Sequence, residues 1–379
     1  VHIRHLSLTG FRTYRTLEVD FPAGPQVVVG PNAAGKTNLL ESLVVLSRGA
    51  SHRTTTDAEL VGWNADLARL EGTLGPSAGT GSFGGDRVEV VLVKPGAVPG
   101  ARKRVRVNEV PRRTTILPGI LRAVVFAPED MLLVVGSPSL RRGVLDSIVV
   151  QREPEAAAAI STYGRALTQR NTLLRRIREE QAGRDELRYW DQVVLHEGGR
   201  ILRWRHDALA ALAEPLAAAN REIAPGEGRL SLRYLTNAEP QPGETPADAL
   251  RRRLAETADK ELWNGATLVG PHRDDLAFEL EGRDLSGFAS RGQQRTAILA
   301  LKLAELDILT AIDGRPPLLL LDDVFSELDP TRRSHLVRRI GELPQAFVTT
   351  TTLDDLDPAL VRASTAWTVT PGELHLVTS

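Results

Sequence analysis

The sequence predicts an α/β fold written in two separated halves, with a mostly helical arm domain inserted between them. Three observations carry this prediction. The stretch Gly30-Pro31-Asn32-Ala33-Ala34-Gly35-Lys36-Thr37 follows a short apolar strand and opens a helix. Almost three hundred residues later, Leu318-Leu319-Leu320-Leu321 forms a second apolar strand ending in Asp322-Asp323. Between them, from Leu140 to about Asn220, the spacing is helical, with hardly any glycine or proline inside the long segments. The expected boundaries are 1–137 for the first half, 138–265 for the arm with its loop and short strand, and 266–379 for the second half.

Taken in order, Ile3, Leu6, Leu8, Phe11, Leu17, Val19 and Phe21 supply two strands around Thr9-Gly10-Phe11-Arg12, a hairpin leading into the strand Gln26 to Val29. Arg12 fits either a contact to a nucleotide or a surface arginine on a turn. The loop that follows satisfies G-x-x-x-x-G-K-[ST] at every fixed position. Strand, glycine-rich turn and helix start together aim backbone N–H groups and the positive end of a helix dipole at one anionic group. In this pattern Lys36 reaches the β- and γ-phosphates of ATP or GTP, and the Thr37 hydroxyl holds Mg²⁺. Gly30 and Gly35 are expected to be glycine because a Cβ would enter phosphate space.

Beyond the first helix, Ser51 to Asp57 reads as a polar loop, and strands are expected at Ala68–Leu74, Arg87–Val93 and Arg102–Val107. The run from Gly75 to Gly85 reads as a flexible turn. Arg102-Lys103-Arg104-Val105-Arg106-Val107 alternates basic and apolar residues, the pattern of a charged hairpin edge that discourages edge pairing, with DNA contact as its alternative. Val124 to Ala127 reads as a strand entering an acidic loop. Two long helices with a turn near Gly183 then form the arm, where Gly198-Gly199 fits a bend. Arg170, Arg175, Arg176, Arg178 and Arg184 alternate with acidic residues and read as a solvated face. A short strand at Leu230–Leu235 and a helix from Ala247 to Leu262 complete it.

The second half brings Gly270-Pro271-His272-Arg273-Asp274-Asp275, a polar turn before a strand. Ser290-Arg291-Gly292-Gln293-Gln294 then opens a helix running from Arg295 to Ile312. After the Leu318 strand, Asp322 stands where phosphate-loop ATPases place the carboxylate that holds Mg²⁺. Asp323, pointing the other way by strand alternation, is free to orient or deprotonate the attacking water. Ala346 to Thr350 reads as one more buried strand.

Composition narrows the classes. The 379 residues are 42% hydrophobic and 25% charged, as expected of a globular protein of one large or two smaller domains. With 47 basic against 48 acidic residues, net charge lends no support to nucleic-acid binding, although a local basic face is compatible with it. Cysteine is absent, which removes disulfides, thiolate metal sites and cysteine nucleophiles. The histidines lack ligand spacing, so the expected cofactors are the nucleotide and its Mg²⁺. No apolar run of membrane-spanning length occurs and the start reads as no signal peptide, so a cytoplasmic location without membrane contact is expected.

Ser290 to Gln294, placed shortly before the Asp322 strand, resembles the signature segment of ABC-type ATPases, and Glu327-Leu328-Asp329 resembles the loop beside it. Arg291 replaces the usual glycine, Asp323 the usual glutamate, and Thr349-Thr350 stand where that family carries a histidine. Within this superfamily the chain is similar to the RecF family of SMC-like ATPases. The resemblance rests on Leu8 to Arg12, Gly30 to Thr37, Phe126 to Asp130, Arg141-Arg142 with Leu145-Asp146, Gly270 to Asp275, and Ser290 to Gln294. It implies an ABC-type ATPase head with a short helical arm and an ATP-dependent homodimer. Ser290, Gly292 and Gln293 would then meet the γ-phosphate held by the other subunit. It further implies binding to double-stranded DNA and single-strand/double-strand junctions, action with RecR and RecO to place RecA at gaps, and slow hydrolysis that resets the dimer. Glu129 or Asp130 would replace the glutamine sensor of relatives. The competing reading is an ABC-type ATPase that powers a transporter or another assembly without touching DNA.

Overall fold

The computed structural model describes residues 2–75, 85–97 and 103–377. The flexible run expected between Gly75 and Gly85, and Arg102 at the head of the basic strand, therefore lie outside the described residues, apart from the two bounding glycines. The chain opens with β1 (His2–Phe11), β2 (Tyr14–Asp20) and β3 (Gly24–Val29), then α1 (Lys36–Arg48). Strands β4 (Leu67–Gly75), β5 (Arg87–Val93), β6 (Arg104–Val107) and β7 (Val110–Arg112) follow, then the short α2 (Leu117–Ile120) and β8 (Ala123–Phe126). The middle of the chain holds α3 (Pro138–Arg152), α4 (Ala156–Arg178), α5 (Leu187–Ile223), β9 (Leu230–Leu235), α6 (Pro246–Glu256) and α7 (Ala258–Asn264). After β10 (Asp275–Leu280), β11 (Arg283–Asp284) and α8 (Leu285–Phe288) come α9 (Arg291–Thr310) and β12 (Leu318–Asp322). The chain ends with α10 (Pro330–Gly341), β13 (Gln345–Thr350), α11 (Pro358–Ala363), β14 (Thr365–Thr370) and β15 (Glu373–Leu376).

These elements form two compact units, one of residues 1–131, 218–227 and 290–379, the other of 132–217 and 228–289. The first contains two six-stranded sheets. One is an antiparallel meander, β2-β1-β4-β5-β6-β7, whose strands alternate buried and open positions as a sheet with one packed face requires. The other has the order β15-β14-β3-β13-β12-β8. Its strands β14, β3, β13, β12 and β8 run parallel. All five residues of β12 and all six of β13 are buried, which is why β12 reads as an apolar run, while β13 buries Gln345, Thr349 and Thr350 beside its apolar centre. One core, from Ile3 and Leu6 through Leu43, Leu320 and Phe347 to Val369, joins both sheets to α1.

The second unit is helical except for the small sheet β11-β10-β9. Residues 266–289 pack with it because β10 pairs antiparallel with β9, Asp275 opposite Leu235. Three long helices stand where two were expected, since the chain turns between Arg152 and Ala156 as well as around Gly183. The helix α5 continues through Gly198-Gly199 without a break. There the missing side chains allow close packing: a Cβ on Gly199 would lie 2.9 Å from that of Ala247. The helix expected from Ala247 to Leu262 breaks at Thr257, whose hydroxyl bonds back to the Arg253 carbonyl at 2.8 Å.

Arg170 overturns the reading of a uniformly solvated arginine face. It is 3% exposed, donating to Asp191 at 2.7 Å and to the Thr267 hydroxyl at 2.8 Å, with the fully buried Glu261 at 2.7 Å. Arg170 falls on the three- and four-residue spacing of Tyr163, Leu167, Leu174 and Ile177, so periodicity places it on the inward face, although its buried partners leave no mark in the sequence.

Candidate nucleotide site

Parallel order decides where the site forms. With β13 between β3 and β12, the loop leaving β3 and the acids ending β12 open into one crevice at the carboxyl ends of the strands. Pro31, Asn32, Ala33, Gly35, Lys36, Thr37, Asn38, Arg53, Pro128, Asp322 and Asp323 line a cavity of about 330 Å³ there. The structure thus brings together Lys36, Thr37, Asp322 and Asp323. Gly30, Ala34, Ser290, Gly292 and Gln293 line no part of the cavity.

The loop holds its shape by local means. Gly35 has φ +114°, and a Cβ there would lie 3.0 Å from Thr13 Oγ1 and 3.1 Å from the Tyr14 hydroxyl, which donates to the Gly35 carbonyl at 3.0 Å. The reason expected for Gly30 is corrected: a Cβ there would collide with Val369 of β14 at 2.6 Å, so neighbouring strand rather than phosphate space forbids it. Ala33 takes a left-handed φ of +65° although it is not glycine. The Lys36 ammonium donates to the carbonyls of Gly30 at 2.6 Å and Pro31 at 3.2 Å. Burial lowers the Lys36 pKa, while Asp323 and Asp322 pull it back up.

The acidic pair is split by the backbone. Asp322 ends β12, is 6% exposed, and accepts at Oδ1 from the Thr349 hydroxyl at 2.7 Å. Strand alternation does not separate its neighbour, as had been expected. Asp323 has already left the strand with φ +53°, its N–H donating to the same Thr349 oxygen at 3.0 Å. Burial raises the Asp323 pKa; Lys36 opposes this, and Asp322, Asp355 and Glu327 add to it. The donors available to a cation, the Thr37 hydroxyl and the Asp322 carboxylate, are hard oxygens, a set that suits Mg²⁺ brought in by a nucleotide.

Arg12, open to two readings from the sequence, is committed to protein. It donates in two-pronged fashion to Glu41 at 2.8 Å and to the Glu59 carbonyl at 2.8 Å. Glu41 is fully buried on α1 and also receives the Ser51 hydroxyl at 2.5 Å. Burial alone would raise its pKa, but the bonds from Arg12 and Ser51 hold it below the usual value. Arg53, reaching Asn38 and Glu41 at 3.4 Å each, lines the cavity and was missed, because a lone arginine in a polar loop carries no pattern. Of the two residues offered as glutamine substitutes, Asp130 accepts from the Ala127 N–H at 2.9 Å and pairs with Lys302 at 3.1 Å. Glu129 is exposed.

Ser290 caps α9. Its Oγ accepts from the Gln293 N–H at 3.2 Å, and the Gln293 side chain accepts from the Ser290 N–H at 3.0 Å, a reciprocal capping box. The helix start with Gly292 is otherwise open, a Cβ on Gly292 meeting nothing nearer than 3.7 Å. Glu327 pairs with Arg295, and Asp329 caps α10 through the Arg332 N–H at 3.0 Å. Among the described residues, no helix is long and apolar enough to cross a membrane.

Comparison with known proteins agrees with this architecture. The family described as RecF/RecN/SMC N terminal domain matches residues 2–366. The DNA replication and repair protein RecF of Heliobacterium modesticaldum is 39% identical over 99% of both chains. That of Bacillus subtilis is 36% identical over 99% of this chain and all of its own. The solved structure of the recombination mediator protein RecF-ATP in the RecFOR pathway superposes with a TM-score of 0.87 at 29% identity, covering 100% of this chain and 98% of that one. An SMC head bound to the C-terminal winged-helix domain of ScpA shares the fold, with a TM-score of 0.54 at 15% identity over 100% of this chain and 98% of its own.

Proposed function

The chain belongs to the RecF family of DNA replication and repair proteins, and from there we propose that it is an ATP-switched, DNA-binding recombination mediator. The observation that carries this reading is the meeting of Lys36, Thr37, Asp322 and Asp323 on one cavity. The loop amides and Lys36 hold the phosphates of ATP, Lys36 exchanging its carbonyl partners for phosphate oxygens. Thr37 and Asp322 would hold Mg²⁺, which when bound would supply charge neutralisation for the phosphates. Asp323 takes the proton of the attacking water as its oxygen bonds to the γ-phosphorus and the bond to the β,γ-bridging oxygen breaks. Its raised pKa suits a proton acceptor.

Ser290, Gly292 and Gln293 lie outside this cavity, and we assign them to the γ-phosphate of a second copy, the Gln293 N–H exchanging its capping bond to Ser290 Oγ for the phosphate, so that ATP closes a homodimer with two sites. The closed dimer grips double-stranded DNA and single-strand/double-strand junctions. It acts with RecR and RecO to load RecA at gaps in the cytoplasm, and slow hydrolysis resets it. Sedimentation with ATP, ADP or no nucleotide, each with and without a DNA duplex, tests the reading. The expected result is a dimer only with ATP and salt-sensitive DNA association only of that dimer. ATP-dependent dimers that ignore DNA would favour an ATPase powering another assembly. A monomer throughout would overturn the switch.

A further inference from the structure

We propose that Thr349 is a positioning residue that divides Asp322 and Asp323 into two separately placed carboxylates. Its side chain is 0% exposed on β13, the strand between the phosphate-loop strand and the acidic one. Register sets it opposite Asp322 on one side and Val28 on the other. A hydroxyl has one hydrogen to give and lone pairs to accept with. Thr349 uses both functions here, donating to Asp322 Oδ1 at 2.7 Å and accepting from the Asp323 N–H at 3.0 Å. The first bond fixes how the Asp322 carboxylate is turned. The second tethers a residue whose left-handed φ of +53° is unfavourable for a side chain bearing Cβ. Without the hydroxyl, a buried carboxylate oxygen and a backbone N–H lose their partners together, and Asp323 is free to leave the strained conformation that aims it.

This inference rests on the nucleotide reading above. Its test uses the full chain and a fluorescent ATP analogue titrated with and without Mg²⁺, followed by single-turnover hydrolysis. In Thr349→Val, analogue affinity without Mg²⁺ should stay within about twofold of wild type, since the loop and Lys36 are untouched. The half-saturating Mg²⁺ concentration should rise about 10–100-fold, the usual result of removing a partner of a metal ligand, with hydrolysis falling as much. Thr349→Ser, which keeps the hydroxyl, should follow wild type. In Asp322→Asn the added Thr349→Val change should shift the Mg²⁺ dependence no further, because both act through one carboxylate. Should Thr349→Val fail to fold, Thr349→Ala carries the same expectation. A hydroxyl-free variant with wild-type Mg²⁺ dependence, or a serine variant as impaired as valine, would overturn the role of Thr349 and leave the nucleotide site standing. A wild-type chain that never binds the analogue would overturn the site and Thr349 with it.

Discussion

Two Asp-Asp pairs flank strands in this chain and have opposite fates. Asp274-Asp275 leads into β10 and is spent on structure. Asp275 accepts Arg141 at 2.7 and 2.8 Å, Asp274 accepts the Tyr234 hydroxyl at 2.8 Å, and Arg142 donates to the Asp274 carbonyl at 2.8 Å. Asp322-Asp323 closes β12 and faces the cavity. Among the described residues no cation bonds either side chain, and Lys36 across from them is held by carbonyls. In the first pair Asp275 is neutralised by a fixed guanidinium, and Asp274 is buried against the Tyr234 hydroxyl, burial raising its pKa. The second keeps its charge for something that arrives. What sets Asp322 and Asp323 apart is that no guanidinium among the described residues reaches them and that both line an open cavity.

The sharpest way to break this contrast is to remove the waiting cation. Lys36→Met should abolish measurable ATP binding at micromolar protein and with it ATP-driven dimerisation, as read by analogue fluorescence and light scattering. Normal dimerisation in this variant would mean that the acids and the loop amides suffice.

Next in size is the split within the open pair. Asp323→Asn should bind ATP and dimerise but hydrolyse about 10²–10⁴-fold more slowly, equivalent to ~3–5 kcal/mol of barrier. Asp322→Asn should instead weaken the Mg²⁺-dependent complex itself. Single-turnover hydrolysis set beside dimer lifetime on a duplex checks both. A long-lived Asp322→Asn dimer with normal turnover in Asp323→Asn would reverse the assignments and make Glu327 the next candidate.

Breaking the spent pair should cost stability and leave chemistry alone. Arg141→Ala strands the Asp275 carboxylate, whose side chain is 22% exposed, and should lower unfolding free energy by about 3 kcal/mol. A denaturant titration reads this. ATP turnover under native conditions should stay within about threefold of wild type. A larger loss of turnover would tie the second unit directly to the nucleotide site.

How much of this was legible beforehand follows the range of each interaction. The phosphate loop, the β12 run and the parallel core strands were readable because strand, turn and helix signals are local. Ser290 with Gln293 three residues on is also a local cap pattern, which the structure uses in full. What sequence could not supply were partners brought from afar: Val369 crowding Gly30, Thr349 bridging the acids, Glu41 taking Arg12, and Asp191 with Glu261 taking Arg170. The split of Asp322 from Asp323 was foreseen but assigned to strand alternation, because a left-handed φ at a non-glycine residue leaves no trace in residue type.

The smallest expected effect tests how tightly the turn that holds Asp274 and Asp275 is committed to its bonds. His272 lies in the same turn as the spent pair, its Nδ1 2.8 Å from the Tyr163 hydroxyl and its Nε2 3.2 Å from the Thr267 carbonyl. A carbonyl can only accept, so Nε2 carries the proton and Nδ1 accepts from Tyr163. The neutral ring is thus complete, and a second proton would displace the tyrosine bond. Burial is the main cause that pushes the His272 pKa down to about 4; Arg273, Arg142 and Arg170 add to it and the Thr267 carbonyl opposes. The folded pKa lies below the unfolded value of 6.5, so the unfolded chain takes up the proton first. Stability from this site is therefore complete above pH 6.5 and lost progressively as pH falls toward 4. At pH 5.5 the loss should be about 1.4 kcal/mol. His272→Gln keeps a donor and an acceptor but cannot titrate, so its stability should fall less between pH 7.5 and 5.5, by that amount. Denaturant titrations of both proteins at the two pH values measure the difference. Parallel losses would show that the ring tolerates its second proton in place and that this turn is less tightly committed than its bonds imply.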